Sequence, residues 1–144
     1  DFLAPQFAKY AITSERKLTS GLPWLSLDPD LMQQAFLNIA LNAIQAMPGG
    51  GKFTAETRVD NAAPDIPGQV TVLFTDTGKG ISPENVSKIF SPFFTTRQQG
   101  TGLGLSITQR IIEQHGGEIN VTSQQGKGAI FTITMPYPDP HKGS

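Results

Sequence analysis

Neutral amide side chains form the first pattern in this chain that could do chemistry. Between Leu31 and Met47 the 144-residue sequence contains no Asp, Glu, Lys or Arg. The amides fall on one face of the predicted helix at Gln34, Asn38, Asn42 and Gln45. Asn is a poor helix former and gains nothing on a face in bulk water. The stripe therefore indicates a semi-enclosed polar site, although any single amide more commonly bonds to its neighbours or to nearby backbone.

Asn42 is the best candidate for a metal ligand within this stripe. Its amide oxygen is a hard, neutral ligand suited to Mg²⁺, a metal that keeps several waters and is usually bound together with phosphates. Ala43 and Ala46 are small and leave room beside it.

A carboxylate and two glycines form the second pattern, directly after a predicted strand. Asp76, Gly78 and Gly80 have the composition of an ordinary turn, and one such spacing is weak support for a site. In the functional interpretation, Asp76 presents its carboxylate at the end of the strand, and the glycines let a flat ligand approach the backbone. A buried carboxylate accepts a hydrogen bond from the exocyclic amine of adenine and rejects guanine, which has an acceptor at that position.

Three alternate glycines form the third pattern, where Gly100, Gly102 and Gly104 lead into a predicted helix. The segment is not a P-loop, and Leu105 stands where a dinucleotide fingerprint needs its third glycine. Glycines at a helix start expose backbone N–H groups and the positive end of the helix dipole, which suit phosphate oxygens. A flexible hinge without a ligand is the alternative, and the two are compatible because a lid over phosphates must move.

The hydrophobic pattern predicts the elements that must position these residues. We expect one domain at residues 1–136 and a flexible tail at 137–144, without internal repeats. The predicted order is a weak strand at 8–15, a helix at 31–47 capped by Asp28 or Asp30, strands at 53–59 and 70–76, a short helix at 82–90 capped by Ser82, a mobile loop at 91–102, a helix at 105–115, and a hairpin of strands at 119–121 and 131–135.

In this order the motifs resemble the catalytic ATP-binding domain of the sensor histidine kinases. Four segments are similar to that family's N box, first glycine box, F box and second glycine box: 38–43, 76–81, 90–97 and 100–105. The resemblance covers about residues 8–136. It implies an α+β fold shared with gyrase, Hsp90-type chaperones and mismatch-repair ATPases: a two-layer sandwich with about three helices on one face of a mixed sheet and a mobile ATP lid.

The resemblance also implies a site for ATP with Mg²⁺. Asn42 would bind Mg²⁺, and Asn38 and Arg97 would act with it in catalysis. Asp76 would accept the adenine amine, and the pocket wall would include Gly78, Gly80 and Ile81. The lid and the helix after it would supply the remaining contacts to the nucleotide: Phe94, Arg97, Gly100, Thr101, Gly102, Leu103, Gly104 and Leu105.

Position 38 separates kinases from ATPases in this resemblance. Gyrase-like members have a Glu four residues before the metal-binding Asn, and it activates water. Asn38 cannot accept a proton at neutral pH, so we expect little hydrolysis. A kinase benefits, because water competes for the phosphoryl group.

The phosphoacceptor is expected on another domain. Neither His115 nor His141 has the flanking sequence of a phosphoacceptor, and His115, at a predicted helix end, is expected to be a cap or a packing residue. We therefore expect a fragment, monomeric in isolation, that phosphorylates a histidine in trans or on an upstream dimerisation hairpin. A response regulator receiver domain would be an indirect partner.

Two positions depart from the family pattern. Gln45 stands where many relatives have Lys or Arg, and Ala129 where they often have Thr or Ser. We therefore expect a modest nucleotide affinity that depends on Arg97 and on Mg²⁺ for charge compensation.

Composition excludes several other classes. Lys and Arg number 11 against 12 Asp and Glu, which argues against charge-driven binding to nucleic acid or to anionic membranes. The absence of Cys excludes disulfides, thiolate zinc sites and a cysteine nucleophile. No apolar run reaches the ~20 residues of a membrane span, and we expect no signal peptide at the start of the chain. We expect a cytoplasmic fragment and leave membrane anchoring of the parent protein open. A gyrase- or chaperone-type ATPase switch and a degenerate fold that only docks partners remain the alternatives.

Overall fold

The computed structural model describes residues 4–18, 27–60, 68–91 and 104–137. Their helices and strands are α1 (Ala4–Lys9), β1 (Ile12–Lys17), α2 (Pro29–Ala46), β2 (Gly51–Asp60), β3 (Gly68–Asp76), α3 (Pro83–Val86), α4 (Gly104–Gln114), β4 (Glu118–Gln124) and β5 (Gly128–Tyr137). Several predicted site residues lie outside the described ranges: Phe94, Arg97, Gly100, Thr101, Gly102 and Leu103. The predicted lid, apart from Ser91, lies outside them as well.

The strands form one open, mixed sheet in the order β1-β2-β3-β5-β4. Strand β1 is parallel to β2, and the other neighbouring pairs are antiparallel. The register places Asp76, the last residue of β3, opposite Phe53 of β2 and Ala129 of β5. Directly opposed residues share a face of a sheet, so Asp76 lies on the same face as these two buried apolar side chains.

The core lies between this face of the sheet and helices α2 and α4. Phe53 stacks on Phe74 with ring centroids 5.9 Å apart, and Phe36 of α2 contacts Phe74 at 5.3 Å. The other main contributors are buried aliphatic and aromatic residues from α2, α4 and the central strands: Met32, Ala35, Ile39, Ala43, Ile111, Ile112, Phe131 and Ile133. The mixed sheet with a helical layer confirms the expected α+β class.

Helix α2 begins at Pro29, slightly before the predicted start at Leu31, and its N-cap is Asp28, one of the two predicted caps. The Asp28 carboxylate accepts hydrogen bonds from the backbone N–H groups of Asp30 and Leu31, and Pro29 occupies the first turn. Ser82 stands at the N-cap position of α3 but makes no side-chain cap hydrogen bond. Without that bond and without buried residues, α3 is only four residues long, much shorter than predicted.

The N-terminal region differs most from the prediction. Residues 4–9 form α1, which the sequence pattern does not indicate, and the strand predicted at 8–15 is found at Ile12–Lys17. Phe7 of α1 packs on Phe53 at 5.6 Å between ring centroids, so a tertiary contact stabilises this short helix. Within the described residues, the structure has no helix of the length and apolar character that crossing a bilayer would require.

Candidate functional site

Asp76 is a buried carboxylate at the carboxyl end of β3, with 4% of its surface exposed. Its Oδ1 accepts a hydrogen bond of 2.9 Å from the backbone N–H of Gly78. Burial raises the pKa of the Asp76 carboxyl above its ordinary value, and the backbone N–H groups of Gly78 and Ala129 partly oppose that shift. A carboxylate offers about four acceptor positions, so Asp76 can accept a further hydrogen bond from a ligand.

The loop after β3 lies directly on the last turn of α2. A Cβ at Gly78 would collide with the carbonyl oxygen of Ala46. The backbone N–H of Lys79 donates to the same carbonyl over 3.1 Å. This close approach requires glycine at position 78, and it fixes the loop that follows Asp76.

The turn between β4 and β5 holds the other side of this loop. Gly80 has a φ of +71°, and a Cβ there would collide with the carbonyl oxygen of Gln124. The backbone N–H of Gly126 donates to the carbonyl of Lys79 over 2.7 Å. The loop is therefore held between α2 and the β4–β5 turn.

Ser123 completes this attachment, and sequence reasoning missed it. The backbone N–H of Ile81 donates to Ser123 Oγ over 2.7 Å, and that hydroxyl donates to the carbonyl of Gly128 over 3.0 Å. Gly128 has a φ of +108°, and a Cβ there would collide with the carbonyl oxygen of Asp76. Ser123 looks like any exposed strand residue in the sequence, because only the pairing of β4 with β5 brings it to the loop.

One face of α2 connects this loop to the start of α4. Asn38, Asn42 and Ala46 follow one another at four-residue spacing, and Asn38 and Ala46 are separated by about 12 Å along the helix axis. Ala46 contacts the loop at Gly78, and Asn38 contacts Gly104. Asn42, which is half-buried, lies between these two contacts. The face of α2 that carries Asn38, Asn42 and Ala46 thus joins two of the predicted glycine segments.

The side chain of Asn38 contacts the first turn of α4. Its Nδ2 donates to the carbonyl of Gly104 over 3.1 Å and to Thr108 Oγ1 over 3.2 Å. Thr108 Oγ1 in turn donates to the carbonyl of Gly104 over 2.8 Å. The sequence does contain a signal for Thr108, because it is a polar residue that shares the apolar face of α4 with Ile111 and Ile112.

The other described site residues lie at the edges of the core. Ile81 and Leu105 are partly buried and pack against it. A Cβ at Gly104 would make only ordinary contact with Asn38, at 3.8 Å. The fold therefore does not itself require glycine at position 104.

A magnesium ion would have few protein ligands in this site. No group of three or more His, Cys, Asp or Glu residues is arranged to hold a metal among the residues that the structure describes. An amide oxygen from Asn42 is compatible with Mg²⁺ if phosphates and waters complete its shell. The donor set fits a metal that arrives with a nucleotide.

His115 has a structural role, as the sequence predicted. Its Nε2 accepts a hydrogen bond of 3.0 Å from the backbone N–H of Asp28, and its Nδ1 donates to the carbonyl of Ile111 over 2.7 Å. Both ring nitrogens are thereby engaged in linking the end of α4 to the start of α2.

A cavity of about 400 Å³ opens between β1, β2 and the first half of α2. Its walls are largely apolar and include neither Asp76 nor Asn42. Gln33 lines it from α2. Within the described part of the chain, the cavity is separate from the predicted nucleotide-binding residues.

The chain matches one protein-family model and a set of known proteins. The model described as "Histidine kinase-, DNA gyrase B-, and HSP90-like ATPase" matches residues 27–139. The sensor histidine kinase ZraS of Salmonella typhi is 47% identical over 112 residues, which are 78% of this chain and 23% of that protein. The chain thus spans less than a quarter of the length of this relative.

Solved structures agree with this match. The catalytic domain of histidine kinase ThkA, in a nucleotide-free form, has a TM-score of 0.79 at 31% identity and covers 94% of this chain and 86% of its own. Full-length ShkA in complex with AMPPNP has a TM-score of 0.80 at 27% identity, and the match covers 96% of this chain and 28% of the ShkA chain. ThkA in complex with the response regulator protein TrrA has a TM-score of 0.76 at 29% identity, and the match covers 98% of this chain and 38% of the ThkA chain.

These matches confirm the resemblance drawn from the motifs, and they agree with the open mixed sheet and its helical layer. The chain belongs to the family of histidine kinase-, DNA gyrase B- and HSP90-like ATPases, and within that family its type is the catalytic domain of a sensor histidine kinase.

Proposed function

We propose that this chain binds Mg-ATP and donates the γ-phosphoryl group to a histidine on a separate dimerisation domain of its parent protein. The observation that carries the proposal is the face of α2, which links the loop after Asp76 to the start of α4 through Ala46 and Asn38. This arrangement supports a nucleotide with its adenine at Asp76 and its phosphates directed toward Gly104.

Different residues would contact the adenine, the metal ion and the phosphates of the nucleotide. Asp76 would accept the adenine amine, with Gly78, Gly80 and Ile81 beside the ring. Gly104 and Leu105 would lie at the phosphate end. Asn42, between the two, would hold Mg²⁺, which supplies charge compensation for the phosphates. The roles of the residues outside the described ranges stay predictions from the sequence: Phe94, Arg97, Gly100, Thr101, Gly102 and Leu103.

The identity of residue 38 favours transfer to histidine over transfer to water. The Asn38 amide nitrogen donates to two oxygen atoms of α4, and an amide is no general base. In the proposed reaction, an imidazole nitrogen bonds to the γ-phosphorus while the bond from that phosphorus to the β,γ-bridging oxygen breaks, and ADP leaves. Asn38 would contribute to catalysis by holding α4. A gyrase-type ATPase switch would need a base where this chain has an amide.

The proposed partners follow from this reaction. The phosphoacceptor would be a histidine on the upstream dimerisation hairpin of the same protein, and a response regulator receiver domain would then take the phosphoryl group from it. ThkA, a structural neighbour, has been solved with a response regulator, which supports a partner of this kind.

Measurements of nucleotide binding and of phosphotransfer test the proposal. Calorimetric titration and thermal unfolding should detect Mg-ATP, because ligand at a hundred times its Kd adds about 2.7 kcal/mol of stability. Addition of the parent's helical hairpin should then give acid-labile phosphohistidine from labelled ATP. Binding without phosphotransfer, but with steady ATP hydrolysis by the isolated chain, would favour the ATPase switch. No binding at all would favour a domain that only docks partners.

A further inference from the structure

We propose that Thr108 is a positioning residue for the triphosphate end of the nucleotide site, acting through Asn38 and Gly104. The inference rests on the proposed function, because it concerns the end of the site at which the phosphates would lie. Thr108 itself is not expected to touch the nucleotide, since its side chain is completely buried.

The first argument is the closed geometry of three groups. Asn38 Nδ2 donates to Thr108 Oγ1 and to the carbonyl oxygen of Gly104, and Thr108 Oγ1 donates to that same carbonyl. The Asn38 amide nitrogen thus serves two acceptors, and the single hydroxyl hydrogen of Thr108 is used within the triangle. The hydroxyl is the one group of the three that both accepts and donates within the triangle.

The second argument is the residue type at this position. Thr108 shares the buried face of α4 with Ile111 and Ile112, where Val has the same branched shape and no polar group to bury. A hydroxyl bonded to the carbonyl four residues earlier slightly destabilises a helix. Burying it costs free energy unless it is fully hydrogen-bonded. Neither helix formation nor apolar packing therefore explains a threonine here, whereas the hydrogen bond that its hydroxyl accepts from Asn38 does.

The third argument is what the triangle fixes. Gly104 is the first residue of α4 and follows the glycine-rich segment 100–103 directly in the chain. Asn38 lies one helical turn from Asn42 on the same face of α2. The triangle thus fixes the rotation of α4 relative to the helix that carries the proposed metal ligand. Its loss should affect the phosphates more than the purine, because Asp76 is held by a different set of contacts.

The test compares Thr108→Val, which keeps the branched shape and lacks the hydroxyl, with Thr108→Ser, which keeps the hydroxyl. Affinities for Mg-ATP and for adenosine, which has no phosphate, are measured by competition against a fluorescent nucleotide. Thr108→Val should bind Mg-ATP about tenfold more weakly and bind adenosine unchanged, while Thr108→Ser should behave as the unaltered chain. If Thr108→Val does not fold, Thr108→Ala provides the same comparison.

Other outcomes overturn the inference. Equal losses for Mg-ATP and adenosine would reduce Thr108 to a general structural residue. Unchanged Mg-ATP affinity in Thr108→Val would remove any positioning role and leave the proposed function intact. Failure of the unaltered chain to bind Mg-ATP would overturn the proposed function and the inference together.

Discussion

The carbonyl oxygen of Ala46 accepts a hydrogen bond of 3.1 Å from the backbone N–H of Lys79, which fastens the loop after β3 to the end of α2. Gly78 lies against the same carbonyl. The carboxylate of Asp76 and the amide of Asn42 thus belong to two elements held in contact. Their proposed tasks differ, one with the purine and one with the metal, so substitutions should separate them.

Replacing Asp76 with Asn should weaken ATP binding at least about tenfold, because an amide replaces the carboxylate that we propose as the acceptor of the adenine amine. The remaining amide oxygen can still accept from the backbone N–H of Gly78. Calorimetric titration with Mg-ATP measures the loss. Glu118→Gln, the same change of charge at an exposed position in β4, is the control. An unchanged affinity in Asp76→Asn would refute the adenine assignment.

The same substitution should change how the ligand-free fold responds to pH. Because burial raises the pKa of the Asp76 carboxyl, the folded state holds a proton that the unfolded state has already released. The free energy of unfolding therefore falls as pH rises from the ordinary Asp pKa, about 3.9, through the raised pKa of the folded state. Asp76→Asn lacks this loss, so its stability relative to the unaltered chain should grow over that interval.

Urea unfolding of both proteins in a pH series measures this difference. Asp76→Asn should be equally or more stable at neutral pH, while binding ATP more weakly. A relative gain in stability by the unaltered chain with rising pH would show that the carboxylate is stabilised by folding, contrary to the effect of burial.

Asn42→Asp should alter the magnesium dependence of ATP binding, because it adds a negative charge beside the proposed metal and phosphates. The affinity for ATP is measured over a magnesium titration, with Gln33→Glu as the control. Gln33 is an exposed residue of α2 that lines the cavity beside β1. Asn42→Asp with the magnesium dependence of the unaltered chain would remove Asn42 from the metal site.

Gly78→Ala should destabilise the fold by about 1–3 kcal/mol, because the new methyl group overlaps the backbone of Ala46. Gly49→Ala is the matched control, since a Cβ there meets nothing within 4 Å. Denaturant unfolding measures both. Equal stability of the two variants would mean that the loop moves away from α2 at no cost.

Ser123→Ala should lower the free energy of unfolding by about 1–2 kcal/mol, because the backbone N–H of Ile81 loses its acceptor. Thr122→Ala, at the exposed neighbouring position of β4, tests the effect of shortening a strand residue alone. The difference between the two in denaturant unfolding is the expected signal, and its absence would show that water replaces the Ser123 hydroxyl.

Local signals in the sequence were sufficient for the longer elements. Asp28 and Pro29 mark the start of α2, and alternating apolar residues mark β2, β3 and β5. They failed at the N-terminus, because α1 has only six residues and depends on Phe7 packing on Phe53. Strand β1 lies at the sheet edge and has few buried residues, so its alternation is weak.

The candidate site divides in the same way. Asp76 and Gly78 could be proposed from the sequence, because a carboxylate after a strand is a hydrogen-bond acceptor and glycines beside it allow close approach to the backbone. Ser123 and Thr108 could not be assigned so directly, because each acts on backbone groups that are distant in the chain. The hydrogen-bond partners of their hydroxyls are set only by the strand pairing and the packing of helices.

Helix α4 is tied to α2 near both of its ends, by Asn38 at its first turn and by His115 at its last. Two links, one near each end of α4, oppose movement of one helix relative to the other. If the first turn of α4 shifts, α2 must shift with it or break one of these ties. Strain that arises at Gly104 would in that case reach Ala46, and through it the loop that carries the proposed purine-binding carboxylate, as a joint movement of both helices.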